Sequence, residues 1–282
     1  MTFLIKSRSS FFNVLLAEIV FIFLSATIIF ALYFLIVNSL KTLQEFSINQ
    51  FTLPKHIYLD NFINVFTKSE IRFTFRNSIF YCVVSVIISL FVSIFASFSF
   101  SFFNFKGKKI IFKIMIAAMY ISPMAIIIPL YLQMSSLNLT DSYTGIIIIY
   151  VGITLAYSIY LITTFFRNIP REIIEAAIVD GCSSFGLLRN IYLPLTKIGL
   201  IVICVINFSV IWTDILFAFI FLQNPQYQTI MVSVAKFKGG VMSAMSMPTY
   251  IAALLIATFP PVVLYLSMMK FFRQGIFAGS IK

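Results

Sequence analysis

Nine carboxylates, one histidine and three cysteines are all that this chain of 282 residues offers to acid–base, metal or thiol chemistry. His56 has no cysteine or second histidine near it, and Cys82, Cys182 and Cys204 form no C-x-x-C pair. A zinc or haem site therefore lacks a ligand set, and neither metal nor cofactor is expected. The paired carboxylates, H-E-x-x-H and Ser/His arrangements of hydrolases are missing too, so no residue reads as catalytic. Two groups of polar residues remain. One is the charged stretch 167–197. The other is Asn207, Ser209, Trp212, Thr213 and Asp214, which interrupt an apolar run. A carboxylate in such a run is tolerable only where it faces water or the interior of a helix bundle. Asn207, Trp212 and Asp214 are accordingly candidates for a polar pathway or its gate.

The stretch 167–197 has its own helical grammar. Pro170 suits a first-turn position, and Glu172 and Glu175 follow near the positive end of the helix dipole. Ile174, Ala177 and Ile178 fall on one face. Gly181 suits a left-handed C-cap, and Ser183 suits the N-cap of a second short helix over 184–191. Leu193-Pro194 is expected to end that helix, because the residue before proline disfavours the α region. The stretch is longer than a connector between adjacent helices needs to be. A helix-turn-helix outside the bilayer is predicted, with Ala176 and Ala177 small enough for another protein to approach closely.

The elements that carry these residues are apolar. The chain is 61% hydrophobic, 17% aromatic and only 10% charged, with mean hydropathy +1.03. A soluble domain carries about 25% charged residues, so an all-α membrane protein is expected. Six apolar segments are long enough to cross a hydrocarbon core of ~30 Å: about 14–37, 78–102, 110–134, 144–166, 198–222 and 247–269. Proline interrupts the third (Ser122-Pro123, Pro129) and the sixth (Pro260-Pro261). No repeat, linker or low-complexity stretch divides the chain, which reads as one transmembrane domain over 1–282 with a coupling loop at 167–197.

The net charge of +11 signals topology and contact with anionic membrane lipids, not nucleic acid. One side holds Lys6, Arg8, Lys106, Lys108, Lys109, Lys113, Arg167, Arg171, Arg189, Lys197, Lys270, Arg273 and Lys282, thirteen of the 20 cations. The other holds Lys41, Lys55, Lys68, Arg72, Arg76, Lys236 and Lys238. Both termini are therefore expected in the cytoplasm, with the loops 38–77 and 223–246 outside.

The spaced set Glu175-Ala176-Ala177, Asp180-Gly181, Ile191 and Leu193-Pro194 resembles the EAA loop of ABC importer permeases. Ser39-Leu40-Lys41, Arg76-Asn77-Ser78, Trp212-Thr213-Asp214 and the tail from Arg273 to Lys282 resemble the MalG-like, carbohydrate-type group of that family. Ile198 and Thr213 depart from it, where proline and asparagine are usual. The resemblance covers nearly the whole chain. It implies a type I importer permease with the MetI-like fold, six transmembrane helices, and a place in a bacterial cytoplasmic membrane. It also implies a second, MalF-like permease, an ABC ATPase dimer and an extracytoplasmic solute-binding protein as partners, and a sugar or oligosaccharide as substrate. Glu175, Ala176, Ala177, Asp180, Gly181, Leu193 and Pro194 would couple to the ATPase. Gln274, Gly275, Ala278 and Gly279 of the tail would also reach it. With no G-x-x-x-x-G-K-[ST] in the chain, ATP hydrolysis is expected in the partner. Glycerol 3-phosphate or its diesters are the alternative substrates. A proton-coupled secondary transporter would need relay groups at mid-membrane, which Glu18 and Asp214, near opposite ends of their spans, do not supply.

Overall fold

The computed structural model describes residues 8–68, 71–238 and 246–280, with side chains over 13–67, 71–236 and 246–269. Among the described residues the secondary structure is helical throughout. The helices are α1 (Arg8–Ser39), α2 (Leu43–Ile48), α3 (Asp60–Lys68), α4 (Ile71–Phe102), α5 (Lys108–Ala118), α6 (Pro123–Ser136), α7 (Tyr143–Arg167), α8 (Arg171–Val179), α9 (Ser184–Leu187), α10 (Leu193–Trp212), α11 (Leu216–Phe221), α12 (Ile230–Lys238) and α13 (Met247–Ser280). Five helical runs are long and apolar enough to cross a membrane, and a bent pair makes up to six.

Contacts group the chain into two compact units, Met1–Ser69 with Phe237–Ile256, and Glu70–Lys236 with Ala257–Lys282. In the first unit the connection after α1 is tied down by polar side chains. Lys41 is only 1% exposed, and its ammonium donates to Asn38 Oδ1 at 3.2 Å and to the Asn49 carbonyl at 3.1 Å. The Asn61 amide donates to the carbonyls of Ser39 and Lys41, both at 2.8 Å. Burial lowers the Lys41 pKa, while nearby Glu45 opposes that shift. Lys41→Met keeps the length of the side chain and leaves the buried Asn38 Oδ1 and the Asn49 carbonyl without their donor. Each hydrogen bond to a charged group contributes ~1.5–3 kcal/mol, offset in part by release of the buried charge. A drop of several degrees in thermal midpoint and faster hydrogen exchange over 42–55 are expected; an unchanged exchange pattern would count against this role.

The second unit is built on α4 packed along α7, with α10 laid against both. Ser85, Ser89, Ser93 and Ser97 stand four residues apart on α4 and are all fully buried. Four-residue spacing puts them on one face, and their small size lets neighbouring backbones come close. Ser97 Oγ donates to the Ile159 carbonyl of α7 at 3.0 Å. Asn207 of α10 donates to Ser158 Oγ at 2.8 Å, and Thr154 donates to Ser89 Oγ at 2.9 Å. Such bonds hold membrane helices together where no hydrophobic driving force acts between them.

Two expected spans are broken. The third, expected over 110–134, is the pair α5 and α6, bent by 101°. Ser122 sits at ψ 133, outside the α region, and Pro123 opens α6, as steric conflict with the proline ring requires. The fifth, expected over 198–222, leaves the helix at Thr213 and resumes as α11.

The opposite correction applies at Leu193-Pro194, which does not end a helix. Leu193 has φ −63 and ψ −47, and the helical run continues from Ser184 to Trp212. A π-helical turn over Leu188–Tyr192 makes this possible. There the Leu193 amide reaches back five residues to Leu188. The one-residue shift in hydrogen-bond register accommodates a proline that has no N–H of its own.

Candidate functional site

The segment between α7 and α10 holds Glu175, Ala176, Ala177, Asp180 and Gly181 of the expected coupling motif, and Leu193 and Pro194 open α10. α8 ends in a Schellman motif: the Cys182 amide donates to the Ala177 carbonyl at 2.9 Å, and the Gly181 amide to that of Ile178 at 3.0 Å. Gly181 takes φ +79, the left-handed turn expected of it. A β-carbon there would touch nothing within 4 Å, so the requirement for glycine is one of backbone conformation alone. Ser183 Oγ then accepts the Gly186 amide at 3.1 Å and caps α9.

The turn is seated on a cluster of Phe98, Ile162, Phe166, Ile169, Leu187, Leu188, Tyr192 and Ile203, with Ile174, Ala177 and Cys182 packed against it. The Ala177 methyl thus belongs to the chain's own core, while Ala176 is exposed. Glu175 and Asp180 are exposed as well, and so are Val179 at 86% and Phe185 at 62%. Asp180 stands at the C-terminal end of α8, where the helix dipole disfavours an anion. Leu193 is half-buried and Pro194 exposed at the start of α10.

The three residues singled out in the fifth segment all have partners inside the chain. Asn207 is 1% exposed, within the network of Ser158 and Ser89. The Trp212 indole is buried, stacks on Phe208 with centroids 5.6 Å apart, and donates from Nε1 to the Ala257 carbonyl at 2.9 Å. Asp214 sits in the break between α10 and α11. Its carboxylate accepts the amides of Phe217 (3.2 Å) and Ala218 (2.9 Å) and the Tyr150 hydroxyl of α7 (3.0 Å). It caps α11 and ties the break to the neighbouring helix.

Three features escaped the sequence reading. The elbow between α5 and α6 exposes Tyr120 (85%) and Met124 (72%) beside an apolar cavity of about 560 Å³ against α7. Arg76, Asn77, Phe80 and Tyr143 line a second hollow of about 360 Å³. There the Asn77 amide holds the Gln226 carbonyl at 2.8 Å, and Tyr143 stacks edge-on to Phe80 and Tyr227. The S-x-x-x-S-x-x-x-S-x-x-x-S spacing on α4 was visible and would have predicted that helix's buried face. The tail residues Gln274, Gly275, Ala278 and Gly279 lie on the backbone of α13, but their side chains fall outside those described. Among the described residues no three His, Cys, Asp or Glu side chains gather to hold a metal ion.

Comparison with known proteins adds a family and a fold. The family described as "Binding-protein-dependent transport system inner membrane component" matches residues 85–278. The probable ABC transporter permease protein YurM of Bacillus subtilis is 29% identical, over 93% of this chain and 87% of its own length. The melibiose/raffinose/stachyose import permease protein MelC of the same organism is 29% identical, over 89% of this chain and 90% of its own. In the crystal structure of a bacterial ABC transporter involved in the import of the acidic polysaccharide alginate, one chain superposes with a TM-score of 0.81 at 21% identity. That match covers 95% of the present chain and 99% of the other.

Proposed function

Because the chain belongs to the family of binding-protein-dependent transport system inner membrane components, we propose that it is one permease of an ATP-driven importer that carries a sugar or oligosaccharide across a bacterial cytoplasmic membrane. It is a transport component, not an enzyme. A second permease completes the pathway, a solute-binding protein delivers substrate from outside, and an ATPase dimer sits beneath α8. Sugar import by relatives such as MelC supports the substrate class.

The observation that carries the coupling role is the two-faced character of the 171–187 turn. Its inner face is fixed to the α4–α7–α10 core, while Val179, outside the apolar runs, and Phe185, at the very start of the run Ser184–Trp212, are both exposed. Exposed apolar side chains on a rigid turn fit a protein partner, and Glu175, Ala176 and Asp180 supply the polar and small positions around them. Movement of that partner would be passed through a rigid seat to the bundle, as alternating access requires. The residues of the α10–α11 break, with Asp214 as its tie, would form the outer gate. In this reading both termini lie in the cytoplasm, which the cation asymmetry supports.

Single cysteines at Ser183 and Asn49 in a Cys-free chain test the topology. They should label from opposite sides of intact cells; labelling of both from outside would sink it. Co-purification of the full chain with an ATPase subunit, lost when Val179 and Phe185 are both changed to Asp, tests the coupling surface.

A further inference from the structure

A second cavity of about 560 Å³ opens beside α8 and is lined by Lys108, Arg167, Arg171 and Glu175 among others. Three cations and one carboxylate leave it positive. The partners of the cations among the described residues are not carboxylates. Lys108 Nζ donates to the Phe103 carbonyl at 2.7 Å, and Arg167 Nη2 reaches the Phe100 carbonyl at 3.5 Å. The Arg167 guanidinium also lies 4.9 Å from the centroid of the Phe112 ring. These contacts aim the two side chains without neutralising them. The first turn of α8 also borders the cavity through Arg171, and no side chain caps it. Its free amides add partial positive charge on the same side.

We propose that this cavity binds a phosphate group, presented by an anionic phospholipid headgroup or as free inorganic phosphate, on Lys108, Arg167 and Arg171. The cavity lies where the apolar runs of α4 and α7 end, beside α8, the depth at which headgroups lie if those runs span the bilayer. Arg167 supplies a planar fork to two phosphate oxygens, and Lys108 a point charge to a third. Glu175 on the same wall limits the site to one phosphate, because a second anion would meet its charge. Occupancy would bridge the α4–α5 connection to the first turn of α8, and so stiffen the seat of the turn.

The site makes no use of the transport reading beyond membrane insertion, and its test measures binding alone. The full chain is placed in phosphatidylcholine nanodiscs containing a minor fraction of phosphatidylglycerol, and retained phosphatidylglycerol is counted by native mass spectrometry. Each cation near a headgroup contributes roughly a factor of five, so K108Q/R167Q/R171Q should lower retention by at least about tenfold. K106Q/K109Q/R189Q removes equal charge from exposed positions and should retain it. K108R/R171K preserves the charges and leaves the Arg167 fork in place, so it should also retain it, which guards against a folding defect in the triple variant. A parallel arm in neutral detergent titrates inorganic phosphate by calorimetry. Binding there, lost in the first triple variant, assigns free phosphate; retention of phosphatidylglycerol without it assigns the lipid. Equal losses in both triple variants, or no binding in either arm, would overturn the proposal.

Discussion

Gly181→Val should give a chain that inserts into the membrane and no longer drives uptake. At φ +79 a residue with a β-carbon meets its own backbone, at a cost of roughly 1–2 kcal/mol for an ordinary residue and more for a β-branched one. Nothing in the surroundings adds to that cost, since the space beside Gly181 is open. The chain can relieve the strain only by giving up the two hydrogen bonds that close α8, from Gly181 to Ile178 and from Cys182 to Ala177. That would swing Val179 and Asp180 away from Phe185 and dissolve the surface offered to the ATPase. Gly181 itself lies outside the apolar runs, so insertion should survive. Uptake should fall by more than tenfold, with either loss of the ATPase on purification or hydrolysis without transport. Gly181→Asn is the internal control, because asparagine enters the left-handed region readily; it should keep most of the activity. Wild-type uptake in the valine variant would remove the turn from the coupling path. Ala177→Leu is expected to damage the same seat from beneath. Its methyl already packs on the Phe98–Phe166–Tyr192 cluster, so three extra carbons overpack the chain's own core, typically by ~1–3 kcal/mol.

Asp214→Leu should be at least as severe. The carboxylate holds three donors at once, two amides of α11 and the Tyr150 hydroxyl. Hydrogen bonds to a charged group contribute ~1.5–3 kcal/mol each, and the amides left behind at a break in an apolar segment would have no replacement. The leucine variant should lose uptake and release α11, which protease sensitivity or hydrogen exchange over 215–222 would report. Asp214→Asn keeps an acceptor for one amide and should retain partial uptake. Tyr150→Phe removes only the tie to α7, so it separates the two roles: reduced uptake with α11 still protected is the expected result. Normal uptake in the leucine variant would leave Asp214 without a part in the gate.

How far these residues could be read from the chain varied with the kind of signal. Gly181, Ser183 and the start of α8 were legible because turn and cap chemistry is local, set by one residue's backbone freedom or one hydroxyl's reach. Ala177 was read as facing a partner, and in the structure it is half-buried with its side chain packed against the chain's own core. A small apolar residue on a helix carries no mark of which neighbour will cover it. Asn207, Trp212 and Asp214 stood out as polar residues in an apolar run, but their partners Ser158, Ala257 and Tyr150 lie 64 residues or fewer away in sequence and on different helices. No local pattern pairs them. The cavity of Lys108, Arg167 and Arg171 was likewise invisible, since the sequence reading counted those cations only as topology signals.

Two proline dipeptides divide most clearly what the chain determines alone from what only packing decides. Composition and run length already pointed to a helical membrane protein, because those are sums over residues and need no geometry. The same local rule disfavours helix before Pro123 and before Pro194; the sequence reading applied it at Leu193-Pro194 and kept Ser122-Pro123 as an interruption within one span over 110–134. The structure follows it at the first, where Ser122 is exposed and extended and the chain turns by 101°. At the second, Leu187, Leu188 and Tyr192 are buried against Phe98, Phe166 and Ile203. That packing holds the segment on a helical path, and the π turn absorbs the missing amide. Proline's cost at a helix is a few kcal/mol, comparable to the burial of one or two large apolar side chains. Local sterics therefore decide where the helix stands exposed, and tertiary contacts decide where three buried side chains outweigh them.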